Sequence, residues 1–274
     1  MREVVVAAGQ EDAMNLSSDT ELDQSRHQVR FGWGVVGART LDTDIAVVVD
    51  VLSFSTSVCV AVERGISVYP FPLEGRQAEE FARAHDAVLA VGRLEATELG
   101  TNTALTLSPD ALKTGPYASR IVLPSPNGST ISHQLESSGA SVIAGCLRNA
   151  TAVADYLAER INHGDSVGIV ATGELCSQEG TLRLALEDHL GAGAIFSELA
   201  GHGYQGIMSP RALTVADYFD SRRPLLSELM HACESAKELQ GIGFGVDIEV
   251  ASALNDSPTV PVLDSGAFQD SLRD

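Results

Sequence analysis

The stretch that most constrains this chain is Ala46–Gly65, AVVVDVLSFSTSVCVAVERG. Its β-branched run Val47–Val49 has the pattern of a buried strand. Asp50 stands where that strand ends. Four hydroxyl residues follow, Ser53, Ser55, Thr56 and Ser57, and Val58–Val62 then continues as a helix closed by Gly65. Open α/β sheets bind ligands outside the C-terminal ends of their strands. Helix starts offer unpaired N–H groups and a dipole that favour anions. A carboxylate beside such an anion cradle makes chemical sense if a divalent cation joins the two. Helix capping explains the same residues as well, and this stretch alone leaves both readings open.

The rest of the chain repeats the alternation. Phe31–Val36, Ser67–Tyr69, Ala87–Val91, Ile121–Leu123, Ser141–Ala144, Asp165–Val170 and Val260–Leu263 read as strands. Ala78–Ala84, a short segment opened by Ser108-Pro109, Ala150–Ile161 and Thr181–Leu199 read as helices, as does much of Ser209–Leu254. The fold class is therefore α/β, in two parts with mainly parallel sheets flanked by helices. Residues 1–28, with a short apolar run at Val4–Ala8, read as a mobile or irregular arm. Residues 29–150 form a first α/β domain and 151–274 a second, helix-rich one.

A second strand-to-helix turn stands at Pro124-Ser125-Pro126-Asn127-Gly128-Ser129-Thr130. Gly128 allows close backbone approach, and Ser129 and Thr130 offer hydroxyls and amides together. The Gly-Lys-Ser/Thr ending of a nucleotide-binding loop is absent, and a serine-capped turn is the simpler explanation. Arg148 and Asn149 open the helix from Ala150. A cation there opposes the dipole, which suggests a nearby anion, although a solvated arginine suits the position too. Within 181–199, Arg183 and Glu187 are spaced for a surface pair. Gly191 and Gly193 inside that helix predict close packing against a neighbour.

With 18 Lys and Arg against 37 Asp and Glu, the net charge is −19. That argues against non-specific binding to nucleic acid or to an anionic membrane. An anionic substrate then needs local help, from a metal or a few placed arginines. Cys59, Cys146, Cys176 and Cys233 show no metal-type spacing and read as reduced, mostly buried thiols of a cytoplasmic protein. The histidines are scattered without ligand spacing. No signal-peptide pattern and no membrane-length apolar run is present.

Taken together, VVVDVLSFSTSV, VLPSPNGST, AGCLRNATAVA, LRLALEDHLGAGAI and VPVLDSGAF resemble the 2-phosphosulfolactate phosphatase family, in its bacterial branch. The likeness runs from about Phe31 to Phe268. It implies a two-part α/β fold with the active site in a cleft between the parts. It also implies Mg²⁺-dependent hydrolysis of a phosphate monoester, 2-phosphosulfolactate of coenzyme M biosynthesis, by a protein that a homo-oligomeric state would suit. By position Asp50, Asn127-Gly128, Arg148-Asn149 and Glu187-Asp188 match family motifs. The chain departs at Ser53-Phe54, where many members carry an arginine and a small residue. It departs again at Thr172-Gly173-Glu174-Leu175-Cys176 in place of Ala-Gly-Glu-Arg-Trp, at Leu184 in place of proline, and at Ala236-Lys237 in place of Gly-Arg.

On this resemblance Asp50 holds the metal, with Glu187 or Asp188 as a second contact. Arg148 stabilises transition-state charge, and Glu174 positions or deprotonates the attacking water. Amides and hydroxyls of Ser53, Ser55, Thr56, Ser57, Ser125, Asn127, Gly128, Ser129, Thr130 and Asn149 form the phosphate-binding set. Two alternatives stand beside it. Asp50 as a covalent nucleophile, as in haloacid-dehalogenase-type phosphatases, lacks the second aspartate two residues on, where Leu52 stands. A non-catalytic anion-binding or regulatory protein on the same scaffold is the other. A phosphatase for a different small phosphorylated acid is a third variant of the enzyme reading.

Overall fold

A computed structural model describes residues 24–72, 75–93, 96, 105–175 and 181–271. The predicted N-terminal arm lies outside these residues as far as position 23, as does Cys176. From Gln24 the chain is ordered into a short 3-10 turn and then β1 (Val29–Trp33).

The elements after it are α1 (Gly34–Thr40), β2 (Ile45–Val49), α2 (Phe54–Glu63), β3 (Ser67–Phe71), α3 (Arg76–Ala84), β4 (Val88–Leu89), α4 (Pro109–Thr114) and β5 (Arg120–Pro124). Next come α5 (Gly128–Ser137), β6 (Ser141–Gly145), α6 (Ala150–Asn162), β7 (Val167–Ala171) and the short pair β8 (Glu174–Leu175) and β9 (Leu182–Arg183). The C-terminal part holds α7 (Leu186–Gly201), α8 (Pro210–Arg222), α9 (Leu226–Ala232), α10 (Glu234–Gly241), α11 (Val246–Ser252), β10 (Pro261–Asp264) and β11 (Ala267–Asp270).

Nine strands form one sheet in the order β1-β7-β2-β6-β10-β11-β3-β5-β4. β1, β7, β2 and β6 are parallel among themselves, as are β3, β5 and β4. The antiparallel hairpin β10–β11 joins the two blocks through single pairs at Val262–Ile143 and Phe268–Val68. β7, from the second half of the chain, lies between β1 and β2 from the first, so the sheet is continuous across residue 150.

The register sets the site. Val49 stands opposite Gly145 on one side and Ala171 on the other. The loops that begin at Asp50, Cys146 and Thr172 therefore leave the sheet at one level. β2 alternates strictly: Ile45, Val47 and Val49 enter one core, and Ala46 and Val48 the other. Both faces are covered, which is why the strand shows no polar position.

The β1 edge is closed by side chain and backbone. The Gln24 amide donates to the Phe31 carbonyl at 2.8 Å and accepts from its N–H at 3.0 Å. The Ser209 N–H donates to the Val29 carbonyl at 2.8 Å.

Several expectations are corrected. β1 ends at Trp33, because Gly34 at φ +57° turns the chain into α1. The helix expected from Thr181 starts only at Leu186, because Leu182–Arg183 pairs back on Glu174–Leu175. Arg183 therefore pairs not with Glu187 but with Glu234 and Glu238. Within the largely helical Ser209–Leu254, the chain breaks at Cys233, whose extended backbone separates α9 from α10. The chain end after Leu263 returns as β11 and takes a central place in the sheet. Close packing at Gly191 and Gly193 is seen. A Cβ on Gly191 would stand 2.6 Å from Val51 Cγ2, and one on Gly193 2.7 Å from Phe219 Cβ. Cys59, Cys146 and Cys233 are free, buried thiols.

Candidate functional site

Asp50 is buried at the end of β2. Its backbone begins a tight turn into α2: the Ser55 N–H and Ser55 Oγ both donate to the Asp50 carbonyl at 2.8 Å. Its carboxylate accepts from the Phe54 N–H at 3.2 Å and from the Gly128 N–H. The turn at Asn127-Gly128 is thus brought to Asp50. Gly128 is required there by Phe54, since a Cβ on it would lie 2.2 Å from the ring. Sequence reasoning gave this glycine to a ligand; a neighbouring side chain fills the space instead.

Gly191 lets α7 settle on Val49 and Val51, which delivers Glu187 and Asp188, both buried, to the end of β2. Asp188 is a clamp. Its Oδ1 accepts from the Val51 N–H at 2.8 Å, and its Oδ2 from the Gly173 N–H at 2.9 Å and Thr172 Oγ1 at 3.1 Å. Both oxygens are engaged in tying the loops after β2 and β7 together, which takes Asp188 out of the expected metal-binding set.

Glu174, on β8, meets the Asn127 side chain through a hydrogen bond. Asp50, Glu174 and Glu187 thus feel one another's charge. Burial, reinforced by Glu174 and Glu187, raises the Asp50 carboxyl to about 7 against the pull of the Phe54 and Gly128 N–H groups. Burial, then Glu238 and Glu187, raises Glu174, with Arg183 and Asn127 opposing. Burial, Asp50 and Glu187 push Asp188 well up. The Cys233 thiol, hydrogen-bonded to Glu187, is pushed up to about 12 by burial and that charge.

Arg183 acts on Glu174, and a second cation, Arg93, to which the sequence gave no role, reaches the Asp50 turn. Its Nη2 donates to Ser53 Oγ at 2.6 Å. Nη2 and Nε also donate to Asp247 Oδ2 at 3.1 and 3.2 Å. Asp247, 1% exposed, accepts on its other oxygen from Ser108 Oγ at 2.5 Å and the Asp110 N–H at 3.2 Å. Burial lowers the Arg93 pKa, and the charges of Asp247 and Asp50 oppose that. A Gly-Arg directly after a parallel strand was the signal available; its buried partner is 154 residues away.

Arg148 is elsewhere. Its guanidinium meets Glu63 at 3.4 Å, Asp256 at 2.9 Å and the Val250 carbonyl at 3.3 Å. Glu63 ends α2, about 13 Å of helix rise from Phe54. The anion that its position called for is these two carboxylates. Asn149 likewise spends its side chain on the Cys146 N–H and the Ala144 and Thr259 carbonyls, where it joins β6 to the strand that follows.

The hydroxyls mostly serve their own backbone. Thr56 donates to the Val51 carbonyl, Ser129 to Leu123 and Thr130 to Pro126, while Ser125 Oγ accepts from the Gly128 N–H. The Ser55 and Ser57 N–H groups donate to the Asp50 and Ser53 carbonyls. Ser57 Oγ is buried without a hydrogen-bond partner among the described residues. Ser53 is the hydroxyl that reaches across to another element, through Arg93.

The donor set can be tested against a metal. Among the described residues no three His, Cys, Asp or Glu side chains converge on one point. Asp50 and Glu187 supply hard oxygens only, their negative charges crowd one another, and Asp188 is engaged. Such a set fits a small hard cation that keeps most of its waters, which is the habit of Mg²⁺. It does not fit a closed zinc site.

The profile of the family described as 2-phosphosulpholactate phosphatase matches residues 36–266. A 2-phosphosulfolactate phosphatase of Methanothermobacter thermautotrophicus is 30% identical over 229 residues, 82% of this chain and 89% of that protein. Probable 2-phosphosulfolactate phosphatases of Thermotoga petrophila and Thermotoga maritima are 27% and 28% identical, each over 81% of this chain and 90% of the relative. No helix among the described residues is long and apolar enough to cross a membrane.

Proposed function

Because the chain belongs to the 2-phosphosulfolactate phosphatase family, we propose that it hydrolyses 2-phosphosulfolactate to sulfolactate and inorganic phosphate, with Mg²⁺. The observation that carries the reading is the buried Asp50 carboxylate at the end of β2, fixed by the Phe54 and Gly128 N–H groups with Glu174 and Glu187 close enough to oppose its charge. Crowded carboxylates of this kind favour a cation among them.

Asp50 and Glu187 would hold the cation, which when bound offsets phosphate charge and acidifies water. Glu174, raised by burial and held by Asn127, orients the attacking water and accepts its proton as the water oxygen bonds to phosphorus. The ester oxygen leaves with the bonding pair and takes up the proton that Glu174 accepted from the water. The Phe54 and Gly128 N–H groups keep the Asp50 carboxylate fixed. Asp188 keeps the loops after β2 and β7 in register.

The test is phosphate release from 2-phosphosulfolactate and from p-nitrophenyl phosphate, with Mg²⁺ and with EDTA. Metal-dependent release that favours 2-phosphosulfolactate and is lost in Asp50→Ala supports the reading. Mg²⁺ should also raise the melting temperature of the wild type and leave that of Asp50→Asn unmoved. No release from either ester by folded protein refutes it.

A further inference from the structure

We propose that the cleft between the end of β1, α1, β9 and the start of α8 is a second ligand site, distinct from the Asp50 cluster. Its ligand is a small molecule with a flat apolar body and one acidic group. The inference goes beyond the phosphatase reading and does not depend on it.

The cleft holds about 530 Å³, within the range of small-molecule sites. Its walls are mostly apolar: Phe31 and Trp33 from β1, Val36 from α1, Leu182 from β9 and Val215 from α8. Trp33 is fixed by two neighbours. Its ring meets Phe31 edge-on at 5.6 Å and lies parallel to His189 at 5.9 Å, with 3° between the planes. A flat ligand therefore finds a rigid aromatic wall, and little side-chain ordering opposes binding. Among the described residues the indole N–H has no hydrogen-bond partner. Val36 is 72% exposed, so covering it removes apolar surface from water.

Arg211 sets the charge of the ligand. It is the one charged side chain among the described residues that line the cleft, and among the described residues it has no ion pair or side-chain hydrogen bond. It is the second residue of α8, where a cation opposes the helix dipole. Arg148 also stands at a helix start, and there Glu63 and Asp256 supply the anion. No described carboxylate does so for Arg211. In a chain of net charge −19, an arginine left without an acid beside an apolar cleft favours a ligand that brings its own.

The cleft neighbours the reacting centre without being part of it. Trp33 stands opposite Ala171, and Ala171 opposite Val49. The end of β1 is thus two strand spacings, about 10 Å, from the end of the strand that leads to Asp50. Asp50, Glu174 and Glu187 are not among the residues that line the cleft. Leu182 lies between the two places. It lines the cleft and also the small space beside Asn127 and Thr172, and its strand pairs with that of Glu174. A ligand in the cleft rests on the β8–β9 pair.

Trp33 is the only tryptophan of the chain, so energy transfer from it to a bound dye reports on this cleft. The probe is 8-anilinonaphthalene-1-sulfonate, an aromatic body with one acidic group, added to the whole chain. 2-Naphthoate should displace it, and 2-naphthalenemethanol, the same body without the acid, should do so roughly fivefold more weakly, the scale of a partly exposed charge pair. Arg211→Gln should bring acid and alcohol together. Thr214→Phe, which adds a ring to the α8 wall, should abolish transfer. Unchanged melting temperatures separate these losses from unfolding. Acid and alcohol that bind wild type alike, or transfer unchanged in both variants, would overturn the inference. Inorganic phosphate with Mg²⁺ should leave the dye in place; displacement would assign the dye to the Asp50 cluster and overturn it too. So would transfer seen only after Val4→Ser, Val5→Ser and Val6→Ser together, which makes the preceding segment the occupant. Transfer that falls as protein concentration rises makes the occupant a second copy and has the same consequence. Absent phosphate release with intact, Arg211-dependent naphthoate binding would sink the phosphatase reading alone.

Discussion

Replacing Asp50 by asparagine should stabilise the protein more at pH 8 than at pH 5. In the unfolded chain this carboxyl ionises near its ordinary value of 3.8; in the folded protein it holds its proton to about 7. Between those two values the folded state binds the proton that the unfolded state has released. Stability therefore falls as pH rises through this window and levels off above it. From pH 5 to pH 7 the loss spans two pH units at about 1.36 kcal/mol each, or roughly 2.7 kcal/mol. Asparagine carries no such term. Its side-chain oxygen can still accept from the Phe54 N–H, and the Gly128 N–H retains Ser125 Oγ. Whatever those exchanges cost is the same at both pH values and cancels in the difference. Removal of the charge also relieves Asp188, which Asp50 pushes upward, so the neighbour adds in the same direction. Thermal denaturation in EDTA should show the variant gaining about 5 °C on the wild type between pH 5 and pH 8. An unchanged gap, or one that closes with rising pH, would mean that Asp50 is ionised throughout.

Gly128→Ala forces a Cβ into the Phe54 ring and should cost about 1–3 kcal/mol in urea unfolding. Its companion Gly139→Ala, where no atom stands within 4 Å of the added carbon, should show only the smaller cost of a side chain at φ +92°. Asp188→Ala strands the buried Val51 and Gly173 N–H groups and should lose roughly 2–4 kcal/mol, as read from the denaturation midpoint. Arg148→Met leaves Glu63 and Asp256 unpaired at the far end of α2. It should lower stability while kcat for p-nitrophenyl phosphate stays within a few-fold; a thousandfold fall in kcat would restore Arg148 to the chemistry.

What could be read from the chain was what is local. The apolar run of β2, the Asp50 at its end, the serine-opened helices at Ser108 and Ser209, and the two tight glycines of α7 all follow from spacing. Each depends on neighbours within a turn or a strand. What escaped depends on pairing across the molecule. Arg93 and Asp247 lie far apart in sequence, and nothing in either neighbourhood announces the other. Arg148 was misassigned because its position at a helix start was read correctly as needing an anion, but the anions came from Glu63 and Asp256 rather than a ligand. The β9 segment looked helical because Leu182 and Leu186 keep helical spacing, whereas Leu182 belongs to the pair formed with β8. The hydroxyl cluster after Asp50 had two explanations, and the structure gives most of it to backbone capping and only Ser53 to the site.

The Gln24 amide on Phe31 finishes one border of the sheet. A sheet of nine strands has two borders, and each unpaired border is a template on which another chain can add a strand. At one border β4 is only two residues long, too short to seed such growth. At the other, β1 has five residues, and there a side-chain amide imitates a passing strand by giving and taking one hydrogen bond, with the Ser209 N–H covering the Val29 carbonyl. The β1 border of the sheet that aligns the site's loops is thus covered by a residue that has no part in the chemistry.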